Sequence, residues 1–201
     1  MKKSFIVCAG VALLLTESLL ANLLRNADFE AGPAEADIVA FGATPGWYNP
    51  ADRGSKKAQA VNARARENDA EGSTYSATVN DREKETSYFV QRTEHSIAEG
   101  EIFEVSFDWK AGWKWQAQDV LRVVVFAKEN NNLSGETVWE ETFDFEFAPT
   151  SWEKVTHVFP PAPPQATAKT LFFSFYGVDP QQAGVAGFAR VDNIVLSVKP
   201  Q

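Results

Sequence analysis

Three acidic residues near the two ends of the chain have the type and spacing expected of a cation site. Asp28 and Glu30 lie two positions apart in the opening stretch 22–32, NLLRNADFEAG, so both side chains project from the same side of an extended segment. Asp192 interrupts the apolar run 190–198, RVDNIVLSV, and a carboxylate in such a run needs a partner if it is buried. We therefore expect the last strand to lie beside the opening stretch.

Calcium is the cation that these residues favour. It takes about six to eight oxygen ligands from carboxylates, backbone carbonyls and water. Glu30, Asp192 and a carbonyl near Asp28 would begin such a shell. The alternative is that Glu30 and Asp192 are ordinary polar ends that pair with Arg25 or Arg190.

Aromatic residues beside polar ones form a second set with possible chemistry. Sugars stack their apolar C–H faces on aromatic rings, while their hydroxyls bond to a few placed polar groups. The run 109–116, WKAGWKWQ, holds three tryptophans, and a tryptophan and a tyrosine adjoin at 47–48. The candidate sugar-binding residues are Trp47, Tyr48, Tyr88, Arg92, Trp113, Trp115 and Tyr176.

Two of these tryptophans have an alternative position. Trp113 and Trp115 share the parity of Phe103, Phe107 and Trp109, the apolar residues before them. If the strand simply continues, both rings are buried in the core. If a turn intervenes, they are exposed and available to a ligand.

The sequence favours a protein without catalytic residues. His95 and His157 are the only histidines, and neither has the spacing of a metal site or adjoins a G-x-S-x-G turn. The run 91–95, QRTEH, has the ingredients of a small polysaccharide lyase, but a surface histidine after a strand is the favoured interpretation. We name no catalytic residue.

These residues must be positioned by strands, because strand signals recur at short intervals. The segments alternate apolar and polar residues, are rich in Val, Phe, Thr and Trp, and are separated by turn formers. We predict strands at 58–63, 74–80, 87–94, 101–110, 120–128, 137–147, 152–159, 169–177 and 188–198. Many short strands without a helical period predict an all-β antiparallel sandwich or jelly roll in one domain.

The amino terminus predicts export. Two lysines precede a short apolar run that ends before Ala21, which is typical of a secretory signal peptide over residues 1–21. The domain then spans 22–201 and contains no cysteine, because Cys8 lies in the leader. We expect a secreted protein, periplasmic or extracellular, with no disulfide and no membrane anchor. The net charge of -8 argues against nucleic acid as a partner.

The end motifs carry a resemblance to a known family. The opening N-L-x-x-N-x-x-F-E, the Gly46-Trp47 pair and the closing V-D-N-I-x-L resemble the galactose-binding-like jelly rolls, which include carbohydrate-binding modules of secreted xylanases and cellulases and many secreted bacterial proteins. The resemblance implies a jelly roll, a glycan partner and a structural calcium at Asp28, Glu30 and Asp192. Two other functions stay open: a structural or adhesive extracellular protein that contacts other proteins, and, more weakly, a small lyase.

Overall fold

The structure, a computed structural model, describes residues 21–30, 47, 64–67, 75–81, 88–181 and 187–200, with backbone only at 64–67, 75 and 88. The described residues form nine strands: β1 (Arg64–Glu67), β2 (Tyr75–Asn80), β3 (Tyr88–Ser96), β4 (Phe103–Ala111), β5 (Val120–Lys128), β6 (Thr137–Phe145), β7 (Glu153–Val158), β8 (Thr170–Val178) and β9 (Phe188–Val198). Eight predicted strands are confirmed to within about three residues at each end. The ninth, at 58–63, lies outside the described residues, as do residues 1–20 of the predicted signal peptide over 1–21.

The strands form two antiparallel sheets. One sheet has five strands in the order β1-β2-β9-β4-β7, and the other has four in the order β3-β8-β5-β6. Every described strand pair is antiparallel. The predicted antiparallel jelly-roll sandwich is therefore confirmed.

The main core lies between the two sheets and follows the alternation of the sequence. In β4, Phe103, Val105, Phe107 and Trp109 are at most 1% exposed, whereas the intervening residues are partly exposed. Phe173 and Phe175 of β8 face them from the other sheet, in the same cluster. Each such side chain contributes about 1.5–3 kcal/mol through burial.

The four-stranded sheet is also buried on its outer face. Strand β8 reads TLFFSFYGV, and its seven central residues are all buried. Those of opposite parity to the core form a second apolar cluster with neighbouring strands, made of Val90, Val124, Phe126, Phe172 and Tyr176. A strand covered on both faces needs such a nearly continuous apolar run.

The opening stretch lies beside β9, as predicted, but it is not an extended segment. Leu23 donates its backbone N–H to the carbonyl of Leu196 at 2.8 Å, and Ile194 donates to Ala27 at 2.9 Å. Between these bonds the chain turns, with positive φ at Asn26 (45°) and Phe29 (57°). The turns break the two-residue alternation expected of Asp28 and Glu30.

Among the residues described, no helix is long and apolar enough to cross a membrane.

Candidate functional site

The most exposed large apolar side chain in the described structure is Trp113, at 67%. It lies in the turn 112–115 that follows β4, closed by a hydrogen bond from the N–H of Trp115 to the carbonyl of Gly112 at 3.3 Å. We call these four residues the aromatic turn. The turn ends the alternation of β4, so Trp113 faces solvent while Trp115 is 8% exposed.

The start of β9 holds the aromatic turn in place. Phe188 donates its N–H to the carbonyl of Trp113 at 3.0 Å and accepts from the N–H of Gly112 at 2.7 Å. Its ring stacks on that of Trp113, with 6.1 Å between centroids and 18° between planes. Gly187, just before β9, also packs closely against the turn. A Cβ atom at this position would lie only 2.6 Å from the carbonyl oxygen of Lys114, so no side chain fits there. Trp113 is therefore a supported ring.

Two lysine ammonium groups lie over tryptophan rings near this turn. Lys114 Nζ is 4.1 Å from the centroid of Trp113, and Lys110 Nζ is 5.2 Å from that of Trp152. Arg190 of β9 is the cross-strand partner of Lys110. The aromatic turn thus combines an exposed ring with the ammonium group of Lys114, in a chain whose net charge is -8.

Three buried aspartates lie behind the aromatic turn. Asp81 accepts a hydrogen bond from the N–H of Gly187 at 2.6 Å, and Asp119 accepts one from Gln116 at 2.5 Å. Burial is the main cause that raises the pKa of Asp81 to about 6; the charges of Asp119 and Asp179 add to the rise, and the Gly187 bond opposes it. Burial also raises the pKa of Asp119. The carboxyl groups of Asp81 and Asp119 thus bind the backbone at Gly187 and Gln116, next to the aromatic turn.

Trp47 belongs to the core rather than to a sugar surface. It is 5% exposed, and its ring packs against Phe29 at 5.5 Å and Phe175 at 5.4 Å. Its Nε1 donates to the carbonyl of Asn26 at 2.9 Å, as a buried indole should. Burial leaves no ring face for a sugar, and we remove Trp47 from the candidate set.

Trp115 is removed for the same reason. Its ring packs edge-on against Trp109, with 6.2 Å between centroids. The sequence left open whether Trp113 and Trp115 are buried or exposed. In the structure Trp115 is buried in the core and Trp113 is exposed to solvent.

Tyr176 lies on the outer face of the four-stranded sheet but is 5% exposed. Arg122 packs over its ring, 5.9 Å from the centroid, and makes two hydrogen bonds to Asp144 at 2.6 and 2.7 Å. Burial raises the pKa of Tyr176, and hydrogen bonding to Arg122 opposes that rise. The tyrosine is thus engaged within the protein, and its burial argues against direct contact with sugar.

The three remaining sugar-binding candidates lie away from the aromatic turn or outside the described residues. Arg92 is exposed on β3, opposite Phe172 of β8. Tyr88 is opposite Tyr176 in the same pair, with only its backbone described. Tyr48 lies outside the described residues. None of these positions is part of the aromatic turn.

The predicted calcium ligands fit an ion in part. Asp192 is fully buried on β9, and its Oδ1 accepts from the N–H of Asn193 at 2.8 Å. Asp28 is exposed, and its carboxylate already accepts from the N–H of Glu30 at 3.3 Å. Within the described ranges, no group of three or more His, Cys, Asp or Glu side chains is arranged as metal ligands. A calcium ion there would need carbonyl oxygens in addition to Glu30 and Asp192.

Polar groups nevertheless converge where the opening stretch meets β9. A cleft of about 360 Å³ is lined by residues of both segments, including Asn26, Asp28 and Asn193. The amide of Asn22 donates to the carbonyl of Ile194 at 2.7 Å. The opening stretch and β9 are therefore joined by direct hydrogen bonds whether or not an ion is bound.

His95 has a structural setting. Its Nε2 lies 2.8 Å from the carboxylate of Glu101, and its ring meets Phe103 edge-on. The same carboxylate accepts from the N–H of Ala98, which closes the turn between β3 and β4. His95 is therefore a structural histidine that lies within β3 and is only partly exposed, whereas the sequence favoured a surface histidine after a strand.

Sequence reasoning missed several members of the site, although signals were present. Phe188 shares the parity of Arg190 rather than that of Ala189 and Val191, so it could be placed outside the core. Asp81 and Asp179 each follow a strand and Asp119 precedes one, which puts all three at strand ends. Their convergence depends on strand order, which the sequence alone does not show.

Comparison with known proteins adds a family and a fold. The model of a family described as a carbohydrate binding domain matches residues 21–181. No curated protein matches the chain.

Among solved structures, similar folds occur in a Stig cyclase from Fischerella sp. TAU (TM-score 0.58, 16% identity, covering 90% of this chain and 98% of that one) and in a family 16 carbohydrate binding module (0.53, 17%, 87% and 99%). An arabinose-bound α-L-arabinofuranosidase contains another (0.55, 13%, 89% and 26%). At these identities the likeness concerns the fold alone.

Proposed function

The chain belongs to the carbohydrate-binding domain family, and from that membership we propose that its aromatic turn binds polysaccharide without chemically changing it. The observation that carries this proposal is the exposed ring of Trp113, which is 67% exposed and supported from behind by Phe188. A ring held in this way is already ordered, so a sugar that stacks on it does not have to immobilise it first.

Polar groups beside the ring supply the second requirement of sugar binding. Lys114 and Lys110 are donors that sugar hydroxyls accept from, and both lie against tryptophan rings of the same end of the sandwich. Stacking gives affinity for the apolar face of a pyranose, and directed donors give orientation. The aromatic turn thus has the composition of a small open sugar site.

The finer parts of the proposal concern export and calcium. The proposed signal peptide would deliver the domain to the periplasm or the medium, where polysaccharides are found. We also propose a structural calcium held by Asp192 and Glu30, with Asp28 contributing its carbonyl. Such an ion would supply positive charge to the buried carboxylate of Asp192 and would fasten the opening stretch to β9.

The experiment is affinity electrophoresis of the purified protein through gels that contain soluble plant, algal or bacterial polysaccharides. Retardation by at least one class supports a glycan-binding domain, and the recovered polymer should be unchanged in length. Shortened polymer would instead favour the lyase. No retardation by any polymer would contradict the proposal.

A second function, contact with other proteins, has one supporting observation. Val158 and Val195 are exposed at 38% and 37%, on strands of the five-stranded sheet, and β7 is an edge strand of the described sheet. Isolated valines of this kind are common on protein surfaces. Self-association in solution, together with no retardation in the gels, would favour this alternative.

A further inference from the structure

Lys114 occupies a backbone conformation that a lysine adopts at a cost. Its φ is 61°, in the left-handed region, at the third position of a turn where glycine is the unstrained residue. The strain is maintained by the surrounding bonds: Trp115 N–H to Gly112 and Phe188 N–H to Trp113. Strained residues of this kind concentrate at functional sites.

The consequence of that conformation is the position of the ammonium group. Lys114 is exposed, and its Nζ lies 4.1 Å from the centroid of the Trp113 ring. A side chain on a flexible stem can swing aside when a ligand stacks on the ring, and its charge then lies at the edge of the bound sugar. Lys110 lies over the Trp152 ring, and Arg190 of β9 is its cross-strand partner.

The chain as a whole has the opposite charge. It contains 27 acidic and 19 basic side chains, for a net charge of -8, so overall electrostatics would repel an anionic polymer. The ammonium group of Lys114 at the exposed ring is therefore a local positive feature, with the carboxyl groups of Asp81, Asp119 and Asp179 behind the turn. Short-range pairing with a carboxylate can overcome a weak long-range repulsion, because salt screens charges farther apart than about 10 Å at about 0.1 M.

We propose that the glycan recognised by the aromatic turn is a uronic-acid-containing polysaccharide, whose pyranose ring stacks on Trp113 while its carboxylate pairs with Lys114. This inference rests on the proposed function and adds the substrate class. The carboxylate of a uronic acid is attached directly to the pyranose ring, so one residue presents both groups to the turn.

The test compares polygalacturonate with the same polymer after carboxyl reduction, which keeps the ring and linkage and removes the charge. We expect stronger retardation by polygalacturonate, and the difference should shrink as salt rises from about 0.1 M to about 1 M. Lys114→Gln should weaken binding to polygalacturonate about two- to five-fold, the size of an exposed ion pair, and should weaken binding to the reduced polymer less, because glutamine still donates a hydrogen bond to a hydroxyl.

Two further variants separate recognition from folding. Lys114→Gly relieves the left-handed strain, so it should melt at or above the temperature of the parent and still lose the preference for the acidic polymer. Lys199→Gln is the matched control. Lys199 pairs with Glu104 at the other end of β4, and its loss should change neither polymer's binding.

The outcomes distinguish this inference from the proposed function. Equal retardation by the acidic and reduced polymers, with no effect of Lys114→Gln, would overturn the uronate assignment and leave glycan binding intact. Equal retardation by dextran sulfate would also overturn it, because any polyanion would then suffice. No retardation by any acidic or neutral polymer would remove the proposed function itself.

Discussion

The ring of Trp113 lies nearly parallel to that of Phe188, with 6.1 Å between centroids and 18° between planes. The two residues are far apart in sequence, and their backbones are also joined, since Phe188 donates its N–H to the carbonyl of Trp113. The last strand thus sets the orientation of an exposed ring that belongs to a turn after β4. Gly112 and Trp113 of the turn are both hydrogen-bonded to Phe188 of β9, so the exposed ring is held against the sheet.

Phe188→Ala should weaken polysaccharide binding although Trp113 is still present. Loss of the supporting ring frees Trp113 to sample other rotamers, and binding then costs about 0.5–1.5 kcal/mol more to immobilise it. We therefore expect an affinity about two- to ten-fold lower, with Phe188→Tyr close to the parent. Phe147→Ala is the control, because Phe147 is 42% exposed and contacts Trp109 rather than Trp113. Equal losses in Phe188→Ala and Phe147→Ala would show a general effect on the fold.

Trp115→Ala should lower the free energy of unfolding by about 3–5 kcal/mol, because it leaves a cavity beside Trp109. Trp115→Phe should cost far less. The Nε1 of Trp115 is buried and has no hydrogen-bond partner among the residues that the structure describes, so phenylalanine removes an unsatisfied donor that costs about 1–3 kcal/mol. Chemical denaturation measures both. A Phe variant as unstable as the Ala variant would show that the indole nitrogen is satisfied.

Asp81→Asn should change how stability depends on pH. Burial raises the pKa of Asp81 from 3.8 to about 6, so the protonated form is favoured in the folded state. The contribution of Asp81 to stability is therefore fully present below about pH 3.8 and is lost as pH rises through about 6. Asparagine keeps an acceptor for Gly187 and a donor toward Asp119 at every pH.

The measurement for this prediction is the difference in melting temperature between Asp81→Asn and the parent from pH 4 to pH 8. We expect the melting temperature of the variant to rise relative to that of the parent as pH increases, and the variant to be the more stable of the two at pH 8. Asp144→Asn is a useful comparison, because Asp144 pairs with Arg122 instead of with other carboxylates. A difference that does not vary with pH would mean that Asp81 is ionised throughout.

Removal of calcium should lower the melting temperature if the proposed ion joins Asp192 to the opening stretch. A ligand bound only by the folded state adds about 2.7 kcal/mol at a hundred times its dissociation constant. Asp192→Asn should no longer respond to a chelator, whereas Asp108→Asn, across the strand pair from Asp192, should still respond. Identical melting in chelator and in excess calcium would exclude the ion.

Much of the fold could be predicted because strand period and turn residues are local signals. The bounds of β5 and β9 match the prediction residue for residue, since each run is apolar and flanked by turn formers. The opening stretch was harder. Its position beside β9 was predicted from the carboxylates, but the turns at Asn26 and Phe29 depend on bonds to β9 and to Trp47 that only the folded chain provides.

The site was only partly predictable, because exposure depends on where alternation stops. Parity placed Trp109, Trp113 and Trp115 on one face, and the turn at Gly112 then separated them into two buried rings and one exposed ring. Trp47 was a candidate because it adjoins Tyr48, and Tyr176 because its hydroxyl could line a sheet face. Trp47 is buried by Phe29 and Phe175, residues distant in sequence.

The most direct test of sugar binding through the aromatic turn is a side-by-side measurement of affinity and melting temperature for the parent and Trp113→Ala. We predict at least a ten-fold loss of affinity for the retarding polysaccharide, equivalent to about 1.4 kcal/mol, with a melting temperature close to the parent's because the ring is 67% exposed. Unchanged affinity in a folded Trp113→Ala variant would contradict the account and would move the search for a glycan site to the rest of the surface.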